Sequence, residues 1–85
     1  MAIGSSPELR SWVVGKLAAL VPEFRGEITD ETSLVDEGLC LDSIMIMELV
    51  TDIESSLEIR IEEEDISPET FGTVGRLVRF LEARR

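Results

Sequence analysis

Residues 41–57 read LDSIMIMELVTDIESSL, and the way this run divides decides the fold. At about 100° per residue, Ile46, Leu49, Val50, Ile53 and Leu57 fall within one broad stripe, the pattern of an amphipathic helix with one buried side. The helix is predicted to begin at Asp42 or Ser43 and to run to about Leu57. Ile44, Met45, Glu48, Thr51, Asp52 and Ser55 fall on the other side, and Met47 lies at the border. Ile44 and Met45 are therefore expected to be exposed or half-exposed, which a purely structural helix does not require.

Two further helices flank this one. Ser5 or Ser6 followed by Pro7 is a good helix start, since serine caps free amides and proline fits the first turn. From there Leu9, Trp12, Val13, Leu17 and Leu20 recur at three- and four-residue steps, predicting a helix over Pro7–Val21 that ends before Pro22. At the other end Thr73 can cap a helix in which Val74, Leu77, Val78 and Leu81 share a face, with Arg84 and Arg85 at its negative end.

The segments between these helices are less regular. Residues 22–42 mix Gly26, Gly38 and several Asp, Thr and Ser with isolated apolar positions at Phe24, Ile28, Leu34, Val35, Leu39 and Leu41. No periodicity persists, so a long ordered loop pinned to the core by those side chains is expected. Loops of that length tend to be functional. Its acids do not follow the ligand spacing of a calcium loop. After the central helix, EIRIE at 58–62 alternates but is too short to build a sheet, so it reads as an extended connector. A short helical turn follows, around 62–66 or 68–71, anchored by Ile66 and Phe71. The expected fold class is all-α: a four-helix bundle of three main helices plus one short helix, with a long loop between helices one and two. Residues 7–85 form its single domain, behind a flexible segment 1–6.

Composition narrows the function. The 85-residue chain has a formal net charge of −10 and no histidine. From Glu27 to Glu69 there are fifteen acids and one base, Arg60, whereas the flanks hold three acids and seven bases. Such a concentrated anion repels nucleic acid and anionic membranes and steers basic protein surfaces toward itself. The absence of histidine removes the usual general base and the usual transition-metal ligand, so the chain is not expected to be an enzyme or to hold a metal. Cys40 is the only cysteine and is expected to be partly buried and inert. MAIGSSPELR lacks the features of a signal peptide, so a cytoplasmic location is expected.

Ser43 has two readings at the loop–helix junction. It, or Asp42, is an N-cap; alternatively it is a hydroxyl presented for another protein to modify. Self-activation is excluded by the missing histidine and the lack of a nearby lysine. The outward apolar residues Ile44 and Met45, with Glu48 and Asp52 further along, favour presentation, because apolar surface ringed by carboxylates suits docking.

The stretch LDSIMIMELVTDIE, with Asp42-Ser43-Ile44 opening the helix and Glu48-Leu49 beyond, resembles the attachment motif of the acyl carrier and peptidyl carrier protein family. The resemblance extends upstream through SLVDEGLCLDS and downstream through EIRIEEEDISPETFGTVGRLVRFL. It implies that Ser43 receives 4′-phosphopantetheine from coenzyme A, through a separate magnesium-dependent phosphopantetheinyl transferase. The arm's thiol would then hold an acyl or aminoacyl group as a thioester. Asp42 would place the modified serine, and Ile44, Met45, Met47, Glu48, Thr51 and Asp52 would meet partner proteins. Those partners are the transferase, a loading ligase and downstream synthase enzymes with basic docking surfaces, met by a monomer.

Two departures stand out. Carriers of fatty-acid synthesis commonly have Gly two residues before the Asp and an acid two after the serine, where this chain has Cys40 and Met45. These weaken a housekeeping fatty-acid biosynthesis assignment, while the resemblance of the Leu41-Asp42-Ser43 spelling and the ETFGTVGRLVRFL ending leans toward carriers of specialised pathways, including discrete aminoacyl (nonribosomal peptide) or polyketide carriers. The competing reading is an unmodified acidic helical adaptor that binds a basic protein.

Overall fold

A computed structural model describes residues 6–35 and 38–84, Ser6 by its backbone alone. Four α-helices run in chain order: α1 over Ser6–Leu20, α2 over Ser43–Leu57, α3 over Pro68–Phe71 and α4 over Val74–Arg84. A single 3₁₀ turn, Glu63–Asp65, lies between α2 and α3. The described residues contain no strand, so the fold is the all-α bundle that the periodicities predict. Of the two serines expected to cap α1, Ser6 is its first helical residue, and Ser5 lies with the rest of residues 1–5 outside the described residues, as do Asp36, Glu37 and Arg85.

Each helix buries the face its sequence pattern selects. Leu9, Val13 and Leu17 of α1 are fully buried, with Trp12 and Leu20 packed at the edge. Leu49, Val50 and Ile53 supply the buried face of α2, and Val74, Leu77, Val78 and Leu81 that of α4. Ile53, Ile61 and Phe71 belong to the same continuous core. No polar or charged residue is buried among the described residues, so burial of apolar surface is the dominant stabilising term.

The segment between α2 and α4 is organised by local hydrogen bonds. Residues 59–62 form the expected extended connector. Its Ile61 is buried, and the Ile61 amide donates to Glu54 Oε2 of α2 at 2.8 Å. Both positions offered by the sequence for a helical turn are occupied, the first as the 3₁₀ turn and the second as α3. Each is stabilised by a capping box, Glu62 with Asp65 and Ser67 with Thr70, which satisfies amides that a short helix leaves unpaired. Phe71 is buried and Ile66 half-buried.

The long loop is held by backbone pairing that side-chain periodicity does not reveal. Leu34 N donates to Gly72 O at 3.1 Å, Val74 N to Thr32 O at 3.1 Å and Gly75 N to Asp30 O at 2.8 Å. Ser33 and Thr73 form an isolated antiparallel bridge. The chain then folds back on itself, with Leu39 N donating to Ser33 O and Leu41 N to Leu34 O, both at 2.8 Å. Gly38 makes that approach feasible, because a Cβ there would run into the Ser33 carbonyl oxygen. Gly75 has a similar role: a Cβ would sit 3.1 Å from Asp30 O.

Two loop residues depart from expectation. Val35, expected to anchor the core, is 40 % exposed, because the adjacent Leu34 takes the inward position and its neighbour must point out. Cys40, expected to be partly buried, is exposed for the same reason, lying between inward Leu39 and Leu41. Phe24 and Ile28 are half-buried, and Leu34, Leu39 and Leu41 are buried as the pattern predicts.

Candidate functional site

The folded-back loop delivers the chain directly to the first residue of α2. Asp42 is the N-cap in extended backbone, and its Oδ1 accepts from the Met45 amide at 2.9 Å. The Asp42 carbonyl accepts from Ile46 N at 3.0 Å, the first bond of the helix. The cap therefore belongs to Asp42, and Ser43 is left as the first helical residue with an exposed side chain. A helix start of this kind also favours negative charge, through first-turn amides that have no intrahelical acceptor.

Cys40 shows how tightly the approach to Ser43 is shaped. Its φ of 53° lies in the left-handed region, where a residue with a side chain is disfavoured and glycine is not. This is the position at which the sequence departs from the glycine common in fatty-acid carriers. The backbone keeps the glycine-type conformation despite the substitution.

Beyond Ser43 one side of α2 is open. Ser43, Ile44, Met47, Glu48, Thr51 and Asp52 line a shallow surface hollow of about 660 Å³. Ile44 is 72 % exposed and Met47 55 % exposed, leaving the floor apolar. Thr51 Oγ1 donates back to the Met47 carbonyl at 2.9 Å, so its hydroxyl is used inside the helix. Glu48 and Asp52 are both exposed. Met45, grouped by sequence with the outward residues, is half-buried against the core and is not among the residues lining the hollow. On a helical wheel it lies nearer than Met47 to the stripe of Ile46, Leu49 and Ile53, which accounts for the exchange.

The chemistry available at this site is limited. A serine hydroxyl needs a general base to attack an electrophile, and the chain contains no histidine. Among the described residues no group of three or more His, Cys, Asp or Glu could hold a metal ion. The exposed hydroxyl, the capped helix start and the open apolar hollow fit a covalent modification made by another protein.

Comparison with known proteins agrees with that geometry. The family described as "Phosphopantetheine attachment site" matches residues 11–81. The chain belongs to this family. Among curated proteins it is 43 % identical over 58 residues to an acyl carrier protein of an Exiguobacterium species, covering 68 % of this chain and 70 % of the relative. It is 29 % identical over 79 residues to the acyl carrier protein of Thermotoga maritima, covering 88 % of this chain and 94 % of the relative. It is also 34 % identical over 53 residues to acyl carrier protein AsbD of Bacillus anthracis, covering 62 % of this chain and 58 % of that protein. The chain thus spans little more than half the length of this last relative. The phosphopantetheine-attachment domain is the site of covalent 4′-phosphopantetheine, and proteins of this kind are carriers rather than catalysts.

The structure keeps Asp42, Ser43 and the outward residues of α2 together, while sequence reasoning missed the seam formed by residues 30–34 with 72–75. Gly38 and Gly75 mark close backbone approaches, to Ser33 within the loop and to Asp30 across the seam, but neither glycine names its partner in the sequence. No described helix is long and apolar enough to cross a membrane.

Proposed function

We propose that this chain carries an acyl group on 4′-phosphopantetheine attached to Ser43, within a fatty-acid-like, polyketide or nonribosomal peptide pathway of the cytoplasm, with residues 7–85 acting as one carrier domain. The observation that carries the reading is the exposed Ser43 at the start of α2, uncoupled from capping because Asp42 performs it. Attachment forms a bond from Ser43 Oγ to the pantetheine-side phosphorus of coenzyme A and breaks the pyrophosphate bond, releasing adenosine bisphosphate. The hydroxyl proton passes to a base of the phosphopantetheinyl transferase, because the chain has no histidine to accept it.

When attached, the arm supplies a thiol that holds cargo as a thioester, and tethering raises the cargo's effective concentration at each partner. Asp42 holds the helix start, and the first-turn amides favour the phosphate. Ile44, Met47 and Thr51 supply apolar contact to partners, while Glu48 and Asp52 orient basic surfaces and speed association. Met45 contributes through its exposed edge. The names of the relatives favour an acyl over an aminoacyl cargo.

The test is direct. Incubation with coenzyme A and a broad-specificity transferase should add one phosphopantetheine mass to the intact protein, located on Ser43 and absent in Ser43→Ala. A wild-type protein that remains at its unmodified mass overturns the reading.

A further inference from the structure

The outward hollow of α2 is not served only by α2. Lys16, on the neighbouring helix α1, places its Nζ 3.8 Å from Asp52 Oδ2 at the far end of the hollow from Ser43. The same ammonium lies 5.6 Å from the ring centroid of Trp12, one turn earlier on α1. Both members of the Lys16–Asp52 pair are partly exposed. The two rim carboxylates are therefore unequal. Among the described residues Glu48 forms no ion pair, whereas Asp52 already faces a cation of its own chain.

We propose that Lys16 is an internal competitor for Asp52, so that a phosphopantetheinyl transferase with a basic docking surface must displace it to use the far turn of the hollow. This rests on the docking role assigned above to the α2 face. A partner cation that meets only Ile44 and Glu48 leaves the Lys16 pair intact. A longer basic surface that also reaches Asp52 has to replace one ion pair by another and gains less from the contact.

An exposed pair of this kind is weak enough to be exchanged during docking. The Trp12 ring provides the displaced ammonium with a second resting place. Lys16 thus grades partners by how far along α2 they reach, making it a specificity-determining residue outside the attachment motif.

A double-mutant cycle tests this on the apo protein, with affinity for a broad-specificity phosphopantetheinyl transferase measured by calorimetry at low salt without coenzyme A. Lys16→Met keeps the apolar stem beside Trp12 and removes the charge. It should tighten binding about three-fold. Asp52→Asn should change affinity less than about two-fold in the parent chain and weaken it about three-fold or more in the Lys16→Met background. The difference between backgrounds should shrink at high salt.

Equal effects of Asp52→Asn in the two backgrounds overturn the proposal, as does weaker binding by Lys16→Met. Ile44→Ala provides the separate control. If it weakens binding while the cycle is additive, only the Lys16 assignment fails; if it leaves affinity unchanged, the docking face itself is wrong and both readings fall. Circular dichroism of each variant verifies that these exposed substitutions leave the helices intact.

Discussion

The outward face of α2 and the seam joining the long loop to α4 are both close to Ser43 in sequence or structure, yet they are built on opposite principles. In the seam, backbone donors and acceptors at Asp30, Thr32, Leu34, Gly72, Val74 and Gly75 are paired, and Leu34 and Val74 are fully buried. On the face, Ile44 and Met47 remain exposed, and among the described residues its polar side-chain contacts are the Thr51–Met47 hydrogen bond and the Lys16–Asp52 pair. One region uses paired backbone and buried side chains to fix where the serine stands. The other leaves its side chains available, so the two should separate cleanly under mutation.

The sharpest test sets Leu34→Ala against Ile44→Ala. Removing a fully buried leucine from the seam should cost about 2–5 kcal/mol in urea unfolding, through lost transfer energy and the cavity left behind. Ile44→Ala should change stability by no more than about 0.5 kcal/mol, since its side chain is already in water. In the transferase reaction the order reverses: Ile44→Ala should raise KM about ten-fold if it is an anchor at the docking face. A large loss of stability in Ile44→Ala would remove the distinction between the regions.

Cys40 gives a smaller effect in the opposite direction. A left-handed conformation disfavours a side chain by roughly 1–2 kcal/mol, part of which glycine loses again through its greater freedom when unfolded. Cys40→Gly should therefore stabilise the protein by about 0.5–1 kcal/mol in urea unfolding, with modification of Ser43 unchanged. This would assign the departure from the common glycine to the backbone rather than to thiol chemistry.

The smallest effect concerns the clasp at the far end of α4. Arg84 donates from Nη2 to Asp65 Oδ1 at 2.7 Å and from Nη1 to the Arg60 carbonyl at 3.2 Å. The Glu62 amide, and then Arg84, hold the Asp65 carboxyl below its ordinary pKa. A lowered folded pKa adds stability above the ordinary carboxylate value of about 3.9, and that contribution is lost as pH falls through the folded value. Asp65→Asn should consequently flatten the acid limb of the stability–pH curve there while leaving the neutral transferase reaction untouched. Thermal melts at a series of acidic pH values provide the measurement.

How much of this could be read from the chain follows from which interactions have a sequence period. The buried faces of α1, α2 and α4 repeat every three to four residues, so Leu9, Val13, Leu49, Ile53, Leu77 and Leu81 declare themselves. Asp42 and Ser43 were legible as a pair, but which of them caps depends on a rotamer that only the folded chain fixes. The seam has no period at all. Its contacts join residues about forty positions apart through backbone atoms, which every residue possesses and no spelling distinguishes. Val35 and Cys40 were misplaced for a related reason: in an irregular loop, apolar character alone does not determine direction.

The seam also sets an order of events. Ser43 is synthesised well before Gly72 and Gly75, yet the loop that brings the chain to it is held by pairing with those residues. A nascent chain that has emerged only through α2 contains the serine and its cap but lacks the partners that fix the approach. The presentation of the hydroxyl seen in the folded protein is complete only after the start of α4 has been made, so recognition of that presentation is also a check that the residues up to Gly75 are in place.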